Sequence, residues 1–471
     1  MLILETFFIL LAALVAFWYK GNDVNSFLFT ALVACGLGSL LYSFGFRANE
    51  VSAGKREGMI TVTLTWIIFC IIGALPYYYG GYISSFTDAF FETMSGFTTT
   101  GSTILSDIEA LPNGILFWRS LTQWQGGIGM VVFTVALLPL FGVGAAQLYD
   151  AETSGITHDR FRPRVTQVAK RLWGTYVFLT LILTALLYVG PMNLFDSINH
   201  AFTCMATGGY STKNSSVAYW DSAYIDYILS LFMFIGATNF TLIFFLMQGN
   251  VKQLFKDEEL RWFFILIVST IAVTTGWLMF KDITPDFETA LREATFQVVT
   301  LASTTGFATE DFNLWGSFFW MIALILMIIC GCAGSTSGGL KMGRFMILCK
   351  SVNAEFKKQT HPHAVIPIRV NGNAISQHVV HRVLSFAVIY MVVLMVGCLI
   401  LTFNGMDYPD AMGSVASAMG NVGPGFGSVG PVNNFSHIPD ASKWTLSFVM
   451  MVGRLELFTI LTLFTRGFWK Q

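Results

Sequence analysis

The sequence predicts an all-α polytopic membrane protein made of four pseudo-fourfold repeats. Each repeat is a helix, a short re-entrant helix, a loop and a second helix, and an N-terminal helix pair precedes the first. Three observations lead there: a composition too apolar for water, apolar runs of spanning length, and a motif that returns four times at nearly even spacing.

Of 471 residues, 54% are hydrophobic and 12% charged, with a mean hydropathy of +0.62. A soluble domain carries about 25% charged residues. The apolar excess comes in runs of about 20 residues, enough to cross a hydrocarbon core of about 30 Å. The expected spans are 1–18, 27–45, 58–78, 115–141, 172–190, 222–248, 261–280, 316–350, 378–403 and 441–467. A formal net charge of −1 gives no basic footprint for nucleic acid. The seven cysteines are odd in number and lie almost entirely in apolar runs, which argues against a disulfide framework. The first run lacks a basic n-region and a small-residue cleavage site, so it is read as a retained helix.

Between the spans lie four shorter stretches rich in Gly, Ser and Thr, at 86–103, 195–210, 288–308 and 408–427. Their glycines Gly101, Gly208, Gly306 and Gly423 are spaced 107, 98 and 117 residues apart. An acid (Asp88, Asp196, Glu293, Asp410) precedes each by 12 or 13 residues, and about three turns of helix fit between, with the acid as its N-terminal cap. The implied organisation is an N-terminal pair over 1–46 and pore repeats over 47–150, 151–250, 251–358 and 359–471, the third holding a gating loop.

Orientation follows from basic residues. Placing 47–57, 142–172, 249–262, 340–382 and the C-terminus on one side collects 20 of the 27 Lys and Arg. Lys20, Arg119, Lys213, Lys281, Arg292, Lys443 and Arg454 remain for the membrane and the other side. The basic side is expected to be cytoplasmic, with both termini there and the four short stretches dipping in from outside.

Non-helical backbone at membrane depth must be buried in protein or line a water-filled cavity. Four such loops around one axis meet that condition together. Each pore helix would aim its C-terminal end, with roughly half a negative charge, at the centre. The following Thr-Thr-Gly-type residues can turn carbonyls inward, since glycine accepts the positive φ this needs. Rings of carbonyl oxygens replace the water around a dehydrated cation in potassium filters. The candidate filter residues are Thr99, Thr100 and Gly101; Ala206, Thr207 and Gly208; Thr304, Thr305 and Gly306; and Asn421, Val422 and Gly423.

Phe97-Thr98-Thr99-Thr100-Gly101-Ser102, Ala206-Thr207-Gly208-Gly209-Tyr210-Ser211, Ser303-Thr304-Thr305-Gly306-Phe307 and Gly420-Asn421-Val422-Gly423-Pro424-Gly425 resemble the four filter loops of the Trk/Ktr/HKT superfamily. Trp118-Arg119-Ser120-Leu121-Thr122-Gln123-Trp124, Gln147-Leu148-Tyr149 and Gly453-Arg454-Leu455-Glu456 resemble its TrkH branch, and the likeness covers essentially the whole chain. The resemblance implies potassium as the transported ion and a bacterial cytoplasmic-membrane location. It also implies a homodimer and a cytoplasmic nucleotide-binding TrkA-type regulatory subunit. Tyr210 stands where Phe is more usual, which should be tolerated if the backbone coordinates the ion.

The run 316–350 is interrupted by Gly331-Cys332-Ala333-Gly334-Ser335-Thr336-Ser337-Gly338-Gly339. About 15 residues precede the break, or about 22 Å of helix, too short to span. Arg454 lies about 20 Å along its own helix, at the same depth. The expected gate is therefore a loop of Gly331, Gly334, Ser335, Thr336, Ser337, Gly338 and Gly339, with Arg454 as a positive barrier. The TrkH resemblance supports both assignments. The other reading of Arg454 is a structural pairing with pore-helix carbonyls or a buried acid such as Glu92. Lys341 reads equally as a gate rim or as a residue snorkelling to the cytoplasmic face.

Other features are read as secondary. His361-Pro362-His363 and Cys330-Gly331-Cys332 lack partners for a metal site. The basic stretch Arg160 to Arg171 reads as topology or as a docking face. Arg119, Gln123, Trp124 and Gln125 could brace a filter loop. The residues argue against two other function classes. A secondary transporter would show two inverted halves, not four parallel units. A serine protease using Ser335 or Ser337 would need a general base at that depth. No catalytic residue and no bound cofactor is expected.

Overall fold

The structure, a computed structural model, describes residues 1–45, 55–137 and 161–470. The described part is mostly helical with almost no strand, as the apolar runs require once no water is available to satisfy the backbone. The matches at Gln147-Leu148-Tyr149 and the start of the basic stretch at Arg160 lie outside the described residues.

The N-terminal pair is α1 (Leu2–Trp18) and α2 (Val24–Gly45), packed on each other. Repeat one has outer helix α3 (Lys55–Tyr79), pore helix α4 (Phe86–Phe97) and inner helix α5 (Asn113–Leu137). Repeat two has outer helix α6 (Phe161–Val189), pore helix α7 (Leu194–Met205) and an inner helix in two pieces, α8 (Ala223–Gly236) and α9 (Phe240–Met247). A short helix α10 (Val251–Lys256) leads to repeat three, with outer helix α11 (Glu258–Phe280) and pore helix α12 (Phe287–Ala302). Its inner helix is again in two pieces, α13 (Ser317–Ile329) and α14 (Met342–Thr360). A two-residue ribbon, β1 (Arg369–Val370) with β2 (Asn373–Ala374), precedes repeat four. That repeat has outer helix α15 (Gln377–Phe403), pore helix α16 (Tyr408–Gly420), inner pieces α17 (Asp440–Arg454) and α18 (Leu457–Leu461), and a terminal α19 (Arg466–Trp469).

Pore-helix packing closes a ring. Each pore helix contacts the outer and inner helices of its own repeat and the inner helix of the preceding one: α4 meets α17, α7 meets α5, α12 meets α8, and α16 meets α13. The last repeat thus hands on to the first. Residues Ala89 to Phe97 of α4 are all buried, while α15 turns Leu399 and Phe403 outward at 67% and 90% exposure. An apolar surface of that kind belongs against lipid.

Among the described residues, five helices are long and apolar enough to cross a membrane, or seven if each bent pair is one span. Helices occupy the described residues of all ten expected spans. One expectation needs correction: only the third inner helix was expected to break. Three of the four are broken, with α8 and α9 bent by 108° and α17 and its continuation by 115°.

Candidate ion filter and gate

The four pore helices end identically. Thr100 N donates to Ser95 O (2.8 Å), Gly208 N to Thr203 O (2.8 Å), Thr305 N to Thr300 O (2.9 Å) and Val422 N to Ser417 O (2.9 Å). Each is a bond back over five residues that closes a helix end. The residue before each donor is left-handed: Thr99, Thr207, Thr304 and Asn421 have φ of 55°, 53°, 63° and 56°. The residue after it is a positive-φ glycine: Gly101, Gly209, Gly306 and Gly423 at 90°, 76°, 79° and 109°. This register corrects the sequence reading in repeat two. The counterpart of Gly101 is Gly209, and Gly208 stands level with Thr100, Thr305 and Val422. Ala206 is the cap of α7, level with Thr98 and Ser303.

These turns meet around one axis. A Cβ on Gly101 would overlap the carbonyl oxygen of Gly208, one on Gly209 that of Thr305, and one on Gly306 that of Val422. A Cβ on Gly423 would stand 2.8 Å from the oxygen of Thr100, which completes the circle. Four equivalent carbonyls therefore each lie against the glycine of the preceding loop.

Polar side chains hold the ring from behind. Gln123 on α5 donates to Gly208 O (2.7 Å) and accepts from Tyr210 N (3.1 Å). Asn421 donates to Thr100 Oγ1 (3.0 Å) and to Met450 O (3.0 Å), and Ser102 donates to Gly423 O (2.8 Å). Arg119 and Glu92 form a fully buried ion pair at 2.9 Å. Arg119 also reaches Ser211 O (3.1 Å), and Glu92 accepts from Ile104 N (3.0 Å). The Tyr210 hydroxyl donates to Glu92 O (2.7 Å), and its ring lies 4.1 Å from the Arg119 guanidinium. Arg119 and Gln123 thus sit where the sequence suggested. Trp124 instead bonds Thr180 (3.3 Å), away from the filter.

The repeated acids are not the caps expected of them. The caps are Ser85, Asn193, Asp286 and Asp407; in the first three, the side chain accepts a backbone N–H of the first turn. Asp88, Asp196 and Asp410 lie three residues inside, and Glu293 falls mid-helix because α12 starts earlier. The three first-turn acids serve as ties. Asp196 accepts from Thr212 (2.6 Å), Asp410 accepts from the Ser428 hydroxyl, and Asp88 pairs with Lys443 at 2.6 Å.

Beneath the ring, residues Cys330 to Lys341 form a loop whose residues are buried except for Ala333 and Gly334, which are partly so. It touches the ends of three pore helices. Thr336 Oγ1 donates to Met205 O (3.1 Å), Gly338 N donates to Thr304 Oγ1 (3.2 Å), and a Cβ on Gly338 would overlap Gly420 O. The loop also explains the bend in repeat two. Cys332 N donates to Ala237 O (2.8 Å), Thr336 N to Gly236 O (3.3 Å), and Phe240 N to Gly334 O (3.1 Å), so the loop fills the gap between α8 and α9.

Arg454, buried at the end of α17, donates to Thr336 O (2.5 Å) and Gly126 O (3.0 Å). Gly126 packs on Phe97 O at the end of the remaining pore helix. Glu92 is not the partner of Arg454, since it is taken by Arg119, and Glu456 pairs with Arg344 at 2.7 Å. Lys341 does not snorkel: it is buried, and its ammonium turns back to Ser337 O within the loop. The sequence reading did not single out Glu259, which accepts from Ala333 N and Gly343 N, both at 2.7 Å. Among the described residues no cluster of His, Cys, Asp or Glu could hold a metal ion.

A multi-pass helical fold with a ring of four helix ends over a buried loop places the chain in the class of polytopic membrane transport proteins. The family model described as "TrkH: Cation transport protein" matches residues 25–470, and the chain belongs to that family. It is 39% identical over 465 residues to the "Trk system potassium uptake protein TrkH" of Salmonella typhimurium, covering 98% of this chain and 96% of that one. The protein of the same name from Escherichia coli K12 is 38% identical over 465 residues. The crystal structure of the potassium transporter TrkH from Vibrio parahaemolyticus superposes with a TM-score of 0.91 at 37% identity, covering 100% of this chain and 97% of that one.

Proposed function

We propose that the chain is the ion-translocating subunit of a potassium-uptake system, with a carbonyl filter at the four pore-loop turns and a gate at Cys330–Lys341 with Arg454. The reading is carried by the closed ring of four equivalent turns. An ion on the axis would meet the carbonyls of Thr100, Gly208, Thr305 and Val422 in place of its water. The C-terminal ends of α4, α7, α12 and α16 add negative potential there.

Two observations support the gate. The loop and the Gly126 contact together lie below all four pore-helix ends, and a guanidinium with no acid partner among the described residues sits among them. A fixed positive charge on a cation path raises the barrier to passage. Release of Thr336 O and Gly126 O would free the loop and the arginine together. The family's relatives are named as potassium-uptake proteins, which supports potassium as the ion. The same reading includes a second copy of the chain, a cytoplasmic nucleotide-binding regulatory subunit, and an inner-membrane location with both termini cytoplasmic.

Flux through purified protein in liposomes tests this with K⁺, Rb⁺, Na⁺ and Li⁺, with and without the cytoplasmic partner. K⁺ and Rb⁺ should pass and compete, with Na⁺ and Li⁺ far behind. Equal passage of all four ions would refute the filter.

A further inference from the structure

The loop is held at both ends by one carboxylate that lies on neither neighbouring inner helix. Glu259 belongs to the first turn of outer helix α11, yet a single oxygen, Oε1, accepts from Ala333 N near the loop's start and Gly343 N just beyond its end. Both bonds are 2.7 Å, and Glu259 is 7% exposed. Charge-assisted bonds of this kind are roughly twice as strong as neutral ones. Gly343 lies in the first turn of α14, whose N-terminal end favours a carboxylate.

The two residues before Glu259 face the other way, toward the ribbon. Asn371 Oδ1 accepts from Glu258 N (2.8 Å), Asn371 N donates to Glu258 Oε2 (3.1 Å), and Asn371 Nδ2 donates to Asp257 Oδ2 (3.2 Å). Lys350 on α14 reaches both Glu258 and Arg369 O, the latter at 2.7 Å. Asn371 and Gly372, with φ of 48° and 82°, form the two-residue turn between β1 and β2. A turn with positive φ at both central residues is stiff and matches the strand twist. Asp257, Glu258 and Glu259 are consecutive, so one short stretch of chain joins the ribbon to the carboxylate on the loop.

We propose that Glu259 is the latch that holds the intramembrane loop in its closed shape, and that the Asn371–Gly372 ribbon is the handle that releases it. This rests on the reading of that loop as the gate. Glu259 is a positioning residue, since it acts through the loop and does not meet the ion.

The experiment combines amide hydrogen exchange over 330–343 with Rb⁺ flux, both on the full chain in liposomes. Glu259→Ala should speed exchange across the loop by about tenfold or more, from the loss of two charge-assisted bonds, and should raise flux. Glu259→Gln keeps an acceptor oxygen without the charge and should restore part of the protection, whereas Glu259→Met fills the space without that acceptor and should not, an outcome opposite to that of a merely space-filling role. Asn371→Gly keeps the turn but removes the side-chain bonds, and should speed loop exchange by about threefold. Unchanged loop exchange in Glu259→Ala overturns the latch. Faster ribbon exchange with an unmoved loop in Asn371→Gly overturns the handle. Faster loop exchange with unchanged flux upholds the latch and overturns instead the reading of the loop as the gate.

Discussion

The carbonyl oxygen of Gly208 occupies the space that a side chain on Gly101 would need. The two residues belong to neighbouring repeats, so the contact is a seam of the ring, and its tightness gives a paired test. Gly101 and Gly405 have nearly the same φ, 90° and 92°, but nothing lies within 4 Å of a Cβ on Gly405. Gly405→Ala should cost only the left-handed backbone penalty, about 1–2 kcal/mol, and leave selectivity intact. Gly101→Ala adds the overlap and should abolish the preference of K⁺ over Na⁺ in liposome flux. Equal behaviour of the two variants would mean that only backbone strain matters there.

Buried charge gives a second test. Arg119 and Glu92 are 1% and 0% exposed, so removing one leaves the other a buried charge without its counter-charge. Arg119→Leu or Glu92→Leu alone should destabilise by about 3–5 kcal/mol, read as thermal unfolding in detergent, and the double variant should recover much of that loss. Additive losses would show that the pair does not act as a unit.

Gln123 should matter more for discrimination than for stability. Gln123→Leu strips a donor from Gly208 O and an acceptor from Tyr210 N. The expected loss is about 1–3 kcal/mol of stability, with a measurable fall in the K⁺ to Na⁺ flux ratio because one carbonyl in four is freed to turn.

Among the described residues Arg454 bonds two carbonyls and no acid. Arg454→Ala should raise Rb⁺ flux by about tenfold or more, from the loss of two charged hydrogen bonds, with the ion preference unchanged. Flux at the parent level would remove Arg454 from the gate.

The spans and repeats were legible because lipid leaves the backbone few options, so length and hydropathy speak directly. The filter register was legible to within one residue. At Gly208-Gly209 composition cannot say which glycine takes positive φ; the bond from Gly208 N to Thr203 O decides it. The break at 237–239 was hidden because its cause lies about a hundred residues away, in the loop that fills it. Glu259 was hidden for a similar reason. Asp257-Glu258-Glu259 reads as an ordinary acidic first turn, and the amides that single out the third acid are 74 and 84 residues distant. Local chemistry showed which residues suit a filter, but long-range packing determined which of them share a bond.

Where a dehydrated ion rests is the most direct question to put to the account, and anomalous X-ray scattering from Rb⁺ in crystals of the protein answers it. The predicted result is density on the common axis, bounded by the main-chain oxygens of Thr100, Gly208, Thr305 and Val422. Density found only elsewhere, with that axis empty at saturating Rb⁺, would contradict it.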